Sequence, residues 1–328
     1  MTASTAARVR AATPEDLPGL ARIAAAALRW DPDAASLPAL LWPSAEPGFA
    51  LVAEAEGLLA GFALGSLGPE PAQPANTRPA NTRPANPRPV AGRRGHINLF
   101  ALDRPLRRRG LGTALLAALE SRLFDAGASA VMIGGATPTF AWPGVDVRYT
   151  AACCLAESRG YERASEAVNM IVELAAAAEA GLLATEEDEL RLAGEGITVR
   201  RLLEADREAI SPWLASWGGT WSRETLSTLG RQDAGSHVAV LGDGTAEPRY
   251  VGFAGHGVNR AGWFGPMGTD SELRKSGIGK VLLKRCLADL HVAGLATSDI
   301  CWVGPVAFYA RTVDAYVNRV FRLYRKER

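Results

Sequence analysis

Asp103-Arg-Pro-Leu-Arg107-Arg-Arg-Gly110-Leu-Gly112-Thr113 is entered by an apolar run, Ile97 to Leu102, and left by leucines at 111, 115, 116, 119 and 123. The run reads as a strand, the basic stretch as a turn and the leucine spacing as one face of a helix, which Gly127 is placed to end. Glycines at 110 and 112 let the backbone turn tightly and bring bare N–H groups against a ligand, while the helix that starts there adds the positive end of its dipole. Arg107, Arg108 and Arg109 add fixed charge. In outline this is an anion site.

The arrangement recurs at Asp270-Ser-Glu-Leu-Arg274-Lys275-Ser276-Gly277-Ile278-Gly279-Lys280, followed by Val281, Leu282, Leu283, Leu287 and Leu290 and closed by Gly294. In both copies the aspartate stands four residues before an arginine that is itself three before the first glycine, and that glycine stands seventeen before the closing one. One Arg-x-x-Gly-x-Gly is weak evidence, but two copies in matching strand and helix contexts are hard to obtain by chance. The Val-Arg pairs at 9–10 and 199–200 are offset by 190 residues and the glycine turns by 167, so the first half carries 23 extra residues between those points. A three-fold proline and arginine pentad within 69–92 accounts for most of them. That tract is too poor in apolar residues to pack, and reads either as a basic arm for an acidic partner or as a tolerated surface insertion.

At 328 residues the chain suits two domains, here drawn as 1–177 and 195–328 with an alanine-rich and acidic linker at 178–194. The run Glu186-Glu-Asp-Glu189 reads as a solvated linker or helix start. With 48% hydrophobic residues, 22% charged residues and a net charge of +1, the composition is that of a soluble globular protein with no global drive toward nucleic acid or membrane. Cys153, Cys154, Cys286 and Cys301 have neither zinc-finger spacing nor the density of a disulfide scaffold. The N-terminus lacks a signal-type apolar core and no run of eighteen apolar residues occurs, so the expected location is the cytoplasm.

Each glycine turn resembles the acyl-CoA pyrophosphate loop of the GNAT acyltransferase superfamily, whose signature is Gln or Arg, two residues, Gly, one residue, then Gly or Ala. Arg107, Gly110 and Gly112 match it, as do Arg274, Gly277 and Gly279. The resemblance implies an α/β protein of two tandem GNAT folds, each a mixed, mostly antiparallel, splayed sheet flanked by helices. It implies acetyl-CoA, or another acyl-CoA, held by Arg107, Arg108, Arg109, Gly110, Leu111, Gly112 and Thr113 and again by Arg274, Lys275, Ser276, Gly277, Ile278, Gly279 and Lys280. Pantetheine would lie along the backbone of Phe100, Ala101 and Leu102, and of Met267, Gly268 and Thr269.

Trp142, Asp146 and Tyr149 in the first half and Trp263 in the second fall where the family borders its acceptor; Asp146 would hold an amine, or the loop merely packs. The segment Leu155-Ala156-Glu-Ser-Arg-Gly160-Tyr161 resembles the family's Phe-Tyr-x-x-x-Gly-Phe with Ala156 in place of the tyrosine, whereas Phe308-Tyr309 keeps it. By resemblance Tyr309 is the general acid, or a packing residue against the cofactor, and His256 or a water chain is the base. The expected activity is transfer of an acyl group to a primary amine on a small molecule, peptide or protein, chiefly in the second half of a monomer or homodimer. No metal constellation is apparent. Two other readings stand beside it: acetylation of a cysteinyl amino sugar, as in mycothiol synthase, and a non-catalytic acyl-CoA sensor.

Overall fold

One device opens both halves. Arg10 forks onto Asp16 at 2.8 Å, and Arg200 onto Asp206 at 2.8 Å. Each aspartate also accepts a backbone N–H at the head of the turn, from Thr13 and from Leu203, both at 2.8 Å. The 190-residue offset read from the Val-Arg pairs is therefore a structural repeat, since both members of each ion pair obey it.

The computed structural model describes residues 8–45, 48–68, 92–135, 141–218, 220–245 and 247–328. The pentad tract at 69–92 lies outside the described residues apart from residue 92. The chain forms two compact units, whose described residues are 8–45, 48–68, 92–135, 141–167 and 320–328 for the first and 168–218, 220–245 and 247–319 for the second.

In the first unit β1 (Arg8–Ala11) is followed by α1 (Leu17–Ala27), α2 (Leu37–Leu41), β2 (Ala50–Ala55), β3 (Leu58–Leu67) and β4 (Arg93–Leu102). Then come α3 (Leu111–Asp125), β5 (Ala128–Ile133), the two-residue β6 (Val145–Asp146), α4 (Thr150–Ser158) and the start of β7 (Glu162–Glu173). Neighbours β1 to β4 pair antiparallel, and β4 to β5 pair parallel. Alternation along β3 divides the core: Ala63 faces Leu115 and Leu119 of α3, while Phe62 and Leu64 face Leu20 and Ile23 of α1 and Leu37 of α2.

The second unit contains α5 (Leu174–Glu179), α6 (Glu186–Gly194), β8 (Ile197–Arg201), α7 (Arg207–Ser216), α8 (Trp221–Leu226), β9 (Gly235–Leu241) and β10 (Arg249–His256). It continues with β11 (Trp263–Thr269), α9 (Ile278–Val292), β12 (Thr297–Ile300), α10 (Val306–Val313) and β13 (Tyr316–Glu327), whose end leaves the unit. Strands β8 to β11 pair antiparallel, and β11 to β12 pair parallel. Ala239 and Ala254 face α9, while Val238, Val240 and Phe253 face α7 and Trp213, Trp217 and Trp221.

The expected division differs from this one at both ends. The strand that covers β5 in the first unit is the end of β13, with Tyr324 opposite Ile133 and Glu327 opposite Ala130. The strand that covers β12 in the second is the end of β7, with Met170 opposite Ile300. Residues 168–177 therefore belong with the second unit and 320–328 with the first. The expected linker at 178–194 is not a solvated joint, because Leu183 and Leu192 are buried in the second core and α6 packs along α9. Among the described residues no helix is long and apolar enough to cross a membrane.

Candidate active site

The first unit opens where β4 and β5 part. Their pairing runs to Ile97 opposite Ile133 and ends with the Gly134 N–H donating to the Ile97 carbonyl at 2.9 Å. A register shift between β3 and β4 leaves Asn98 as an extra residue at that point, its amide donating to Ser66 Oγ at 3.1 Å. Such a bulge bends its strand. Beyond it, Phe100 to Leu102 have no partner on β5, so one backbone edge of β4 is left for a ligand.

That edge leads into the glycine turn. Arg107 donates from Nε and Nη2 to the Leu102 carbonyl at 3.2 and 3.1 Å, so this arginine braces the turn. Arg108 (φ 65°) and Gly110 (φ 81°) are left-handed, and Gly110 caps α3. The first rung of α3 is Ala114 N–H to Gly110 carbonyl, 3.0 Å, which leaves the N–H groups of Leu111, Gly112 and Thr113 without a helical acceptor. Gly110 is exposed, and a Cβ placed on it would meet nothing within 4 Å. Gly112 is needed for packing, since a Cβ there would press on Leu102 at 3.1 Å. Arg108 and Arg109 are exposed, Arg109 pairing with Glu56 at 2.9 Å. Open backbone donors, a helix N-terminus and guanidinium groups fit the pyrophosphate of an acyl-CoA.

On the α1 and α2 side of the same sheet, Trp142 packs against the apolar cluster to which Leu99 and Ala101 of β4 belong. Its indole Nε1–H donates to Asp31 at 3.2 Å, and the Tyr149 hydroxyl donates to the other Asp31 oxygen at 2.7 Å. The Trp30 N–H in turn donates to that hydroxyl at 3.0 Å. Asp31 is 4% exposed, an unusual place for a carboxylate without a task. The Trp30 ring beside it is 40% exposed and flanked by the guanidinium groups of Arg29 at 4.7 Å and Arg148 at 5.1 Å. Two of the three residues expected at the acceptor are thus brought together around a third, Asp31, that sequence reading missed. Its only signal was an acid between Trp30 and Pro32 just past α1. Asp146 is buried and takes Arg148 on both oxygens at 2.7 to 3.1 Å, so it anchors a loop rather than presenting a free face to an amine.

The second unit repeats the frame and fills it. Lys275 (φ 73°) and Gly277 (φ 96°) adopt the same left-handed pair, and Gly277 caps α9. Here, however, Arg191 of α6 donates to the Ser276 carbonyl at 2.6 Å and lies where a Gly277 Cβ would go. Asp188 of α6 pairs with Lys280 at 2.7 Å, and Glu189 with Arg285 at 2.6 Å. Lys284 donates to the Ala184 carbonyl at 2.7 Å. Arg274 and Lys275 stay exposed. The bulge lies between Ala254 opposite Met267 and His256 opposite Phe264, leaving Gly265 and Pro266 as the irregular pair. By the 167-residue offset Pro266 stands where the first unit has Leu99, and it brings no N–H. On the α7 side the Trp217 ring sits within 3 Å of a Cβ built on Gly268.

Tyr309, on α10, is buried with its ring edge-on to Phe308 at 5.0 Å and to Phe264 at 6.2 Å, and burial pushes its hydroxyl well above the ordinary tyrosine range. His256 Nε2–H donates to Asp289 (3.2 Å), as do His237 (2.8 Å) and Arg201 (2.6 Å). Burial works to raise the Asp289 carboxyl, yet the hydrogen bonds from both histidines hold it well below the usual carboxylate range, and burial lowers His237. Asp289 lies eleven residues into α9 from Ile278, about 16 Å along the axis from the glycine turn. His256 thus stands on the α9 side of the sheet, the counterpart of the α3 side, whereas the Asp31 cluster lies on the other face. Trp263 is buried under the Arg260 guanidinium, 4.5 Å from its ring.

Residues 18–140 match the model of the acetyltransferase (GNAT) family. Among solved structures the chain is similar over 99% of its length, with a TM-score of 0.74 and 16% identity, to a GCN5-related glucosamine N-acetyltransferase region of a fungal multi-domain GH3 beta-N-acetylglucosaminidase, of which it spans only 38%. It is similar over 98% of its length, with a TM-score of 0.64 and 20% identity, to a GCN5-related N-acetyltransferase from Sphaerobacter thermophilus, covering 95% of that chain. A tandem GNAT protein from the clavulanic acid biosynthesis pathway matches with a TM-score of 0.64 and 13% identity, each chain covered to 98%. At these identities the likeness is one of fold. No curated protein matches the sequence.

Proposed function

We propose that the chain is a GNAT acetyltransferase, residues 18–140 matching the model of that family, and that it moves an acetyl group from acetyl-CoA to a primary amine by direct attack, in the first unit. The observation that carries this reading is the Gly110 turn: left-handed, exposed and open above the N-terminus of α3, at the end of the free edge of β4.

In this reading Leu111, Gly112 and Thr113 present backbone N–H groups to the pyrophosphate, with Arg108 and Arg109 supplying charge. Phe100 to Leu102 hold pantetheine by their free backbone edge. The cofactor contributes an activated thioester, and the chain contributes position. An alkylammonium with a pKa near 10 is only about 0.1% neutral at pH 7, so deprotonation alone costs about 4 kcal/mol. The Asp31 carboxylate orients the ammonium and receives its proton. The Tyr149 hydroxyl, held by its hydrogen bonds to Asp31 and Trp30, passes its proton to the departing sulfur and regains one from the incoming ammonium through Asp31.

The second unit, which sequence reading favours for the chemistry on the strength of Tyr309, is proposed as a supporting copy. A second reading of the acceptor, an amino sugar, is favoured by the fold likeness to the fungal region described as a glucosamine N-acetyltransferase. The unpaired cysteines support a cytoplasmic location. Turnover of acetyl-CoA over a panel of amines, amino sugars (a cysteinyl amino sugar among them) and N-terminal peptides tests the reading. An enzyme consumes acetyl-CoA with at least one of them and loses that activity on Gly110→Trp; a pure acyl-CoA sensor consumes none.

A further inference from the structure

We propose that helix α6 is a resident occupant of the second glycine turn, keeping it closed to acyl-CoA so that the protein takes one cofactor and not two. The proposal rests on the reading of the Gly110 turn as an acyl-CoA site.

An anion turn of this kind works through three groups: the bare backbone of its first glycine, the free N–H groups of the helix behind it, and a nearby cation. In the second unit the chain itself uses two of them. The Arg191 guanidinium stands over Gly277 and holds the Ser276 carbonyl, and the Asp188 carboxylate takes Lys280, the cation one residue past the second glycine. A carboxylate on that lysine offers the same charged oxygen acceptor as a phosphate would, from within the protein. The helix is fixed there on both flanks. Glu189 binds Arg285 through two hydrogen bonds of 2.6 and 2.7 Å, Lys284 binds the Ala184 carbonyl, and Leu183 and Leu192 are buried beneath. Farther along, Trp217 covers Gly268 on the strand where pantetheine would pass, and Pro266 removes a donor from it. Among the described residues nothing comparable covers Gly110. Sequence reading expects both turns to take cofactor because the motif residues are intact in both. What differs is a segment some ninety residues upstream of the second motif, Asp188 to Arg191.

Isothermal calorimetry of CoA on the full chain gives the test. The wild-type protein should bind one equivalent, Gly277→Trp should leave that unchanged, and Gly110→Trp should bind none. Two equivalents in the wild type, or binding in Gly110→Trp that a further Gly277→Trp removes, would overturn the proposal. In the Gly110→Trp background, Asp188→Ala with Arg191→Ala should restore about one equivalent at the second turn. No gain there, with the circular dichroism of the parent retained, means that α6 is not what closes the turn. Hydrogen exchange on the wild type reads the same question without any variant: CoA should protect amides 107–116 and leave 274–283 untouched, and protection of the latter refutes the idea. A wild-type protein that binds no CoA at all would instead remove the underlying acyl-CoA reading.

Discussion

The two glycine turns share their motif, their left-handed pair and their helix, and differ in what lies on top. Gly110 faces open space, whereas Gly277 faces Arg191. The strands feeding them differ in the same sense, with Leu99 in one and Pro266 in the other beside the splay, and so do the cleft faces, one lined by Asp31 and Tyr149 and the other filled by Trp213, Trp217 and Trp221. The lesson is that a binding motif states what a backbone can do, and the segments packed against it decide whether it does. The sharpest break in the comparison comes from the glycines themselves. Gly110→Trp should abolish acetyl transfer, with a fall in kcat/KM of at least about 100-fold, while Gly277→Trp should leave steady-state kinetics near wild type. Equal losses from both would mean that the units are equivalent after all.

Next in size is the proton donor. Tyr149→Phe removes the hydroxyl that bonds Asp31, and loss of a general acid typically costs roughly 10²- to 10⁴-fold in kcat. CoA affinity should hold, since Tyr149 is remote from the glycine turn in sequence and lies on the acceptor face. Tyr309→Phe should leave kcat almost unaltered, because that ring serves the packing around Phe264 and Phe308. The reverse pattern, a dead Tyr309→Phe and an active Tyr149→Phe, returns the chemistry to the second unit. A smaller effect is expected of Asp31→Asn. It keeps the shape and some of the hydrogen bonding but removes the charge, so KM for the amine should rise by roughly 10-fold, with little change in KM for acetyl-CoA. An unchanged amine KM would make Asp31 a loop staple and nothing more.

Much of this frame is legible in the sequence because it is local. The glycine turns, the helices behind them and the repeated Val-Arg opening all follow from short-range spacing, and each recurs in the structure. What is illegible depends on contacts between distant segments. Nothing in the alternation of β13 says that it will cover β5 rather than a strand of its own half, since either edge would bury Phe321 and Tyr324. The acids at 186–189 read as a solvated linker or a helix start, and they form the first turn of α6; what their composition does not show is that this helix docks on Lys280 and Arg285. Asp31 is silent for the same reason: its partners lie more than a hundred residues away.

The smallest expected effect concerns the feature in which the two units are most alike, the arginine-held aspartate that opens each. Hydrogen bonds from Arg200, opposed by burial, bring the Asp206 carboxyl down to about 2 from its ordinary 3.8, and Arg10 lowers Asp16 in the same direction. A carboxylate with a depressed folded-state pKa stabilises fully above the unfolded value and loses that contribution as pH falls toward the folded one. For Asp206 the window is therefore about pH 4 down to pH 2, and a shift of this size corresponds to about 2 kcal/mol above it. Asp206→Asn should lower the melting temperature of its unit by a few degrees at pH 7 and by progressively less through that window, with variant and wild type converging near pH 2. Asp16→Asn should do the same to the first unit. If the deficit of Asp206→Asn is as large at pH 2 as at pH 7, the charge is not what the residue contributes, and the loss comes from replacing one of the two oxygens that accept from Arg200 and the Leu203 N–H with an amide nitrogen that cannot accept.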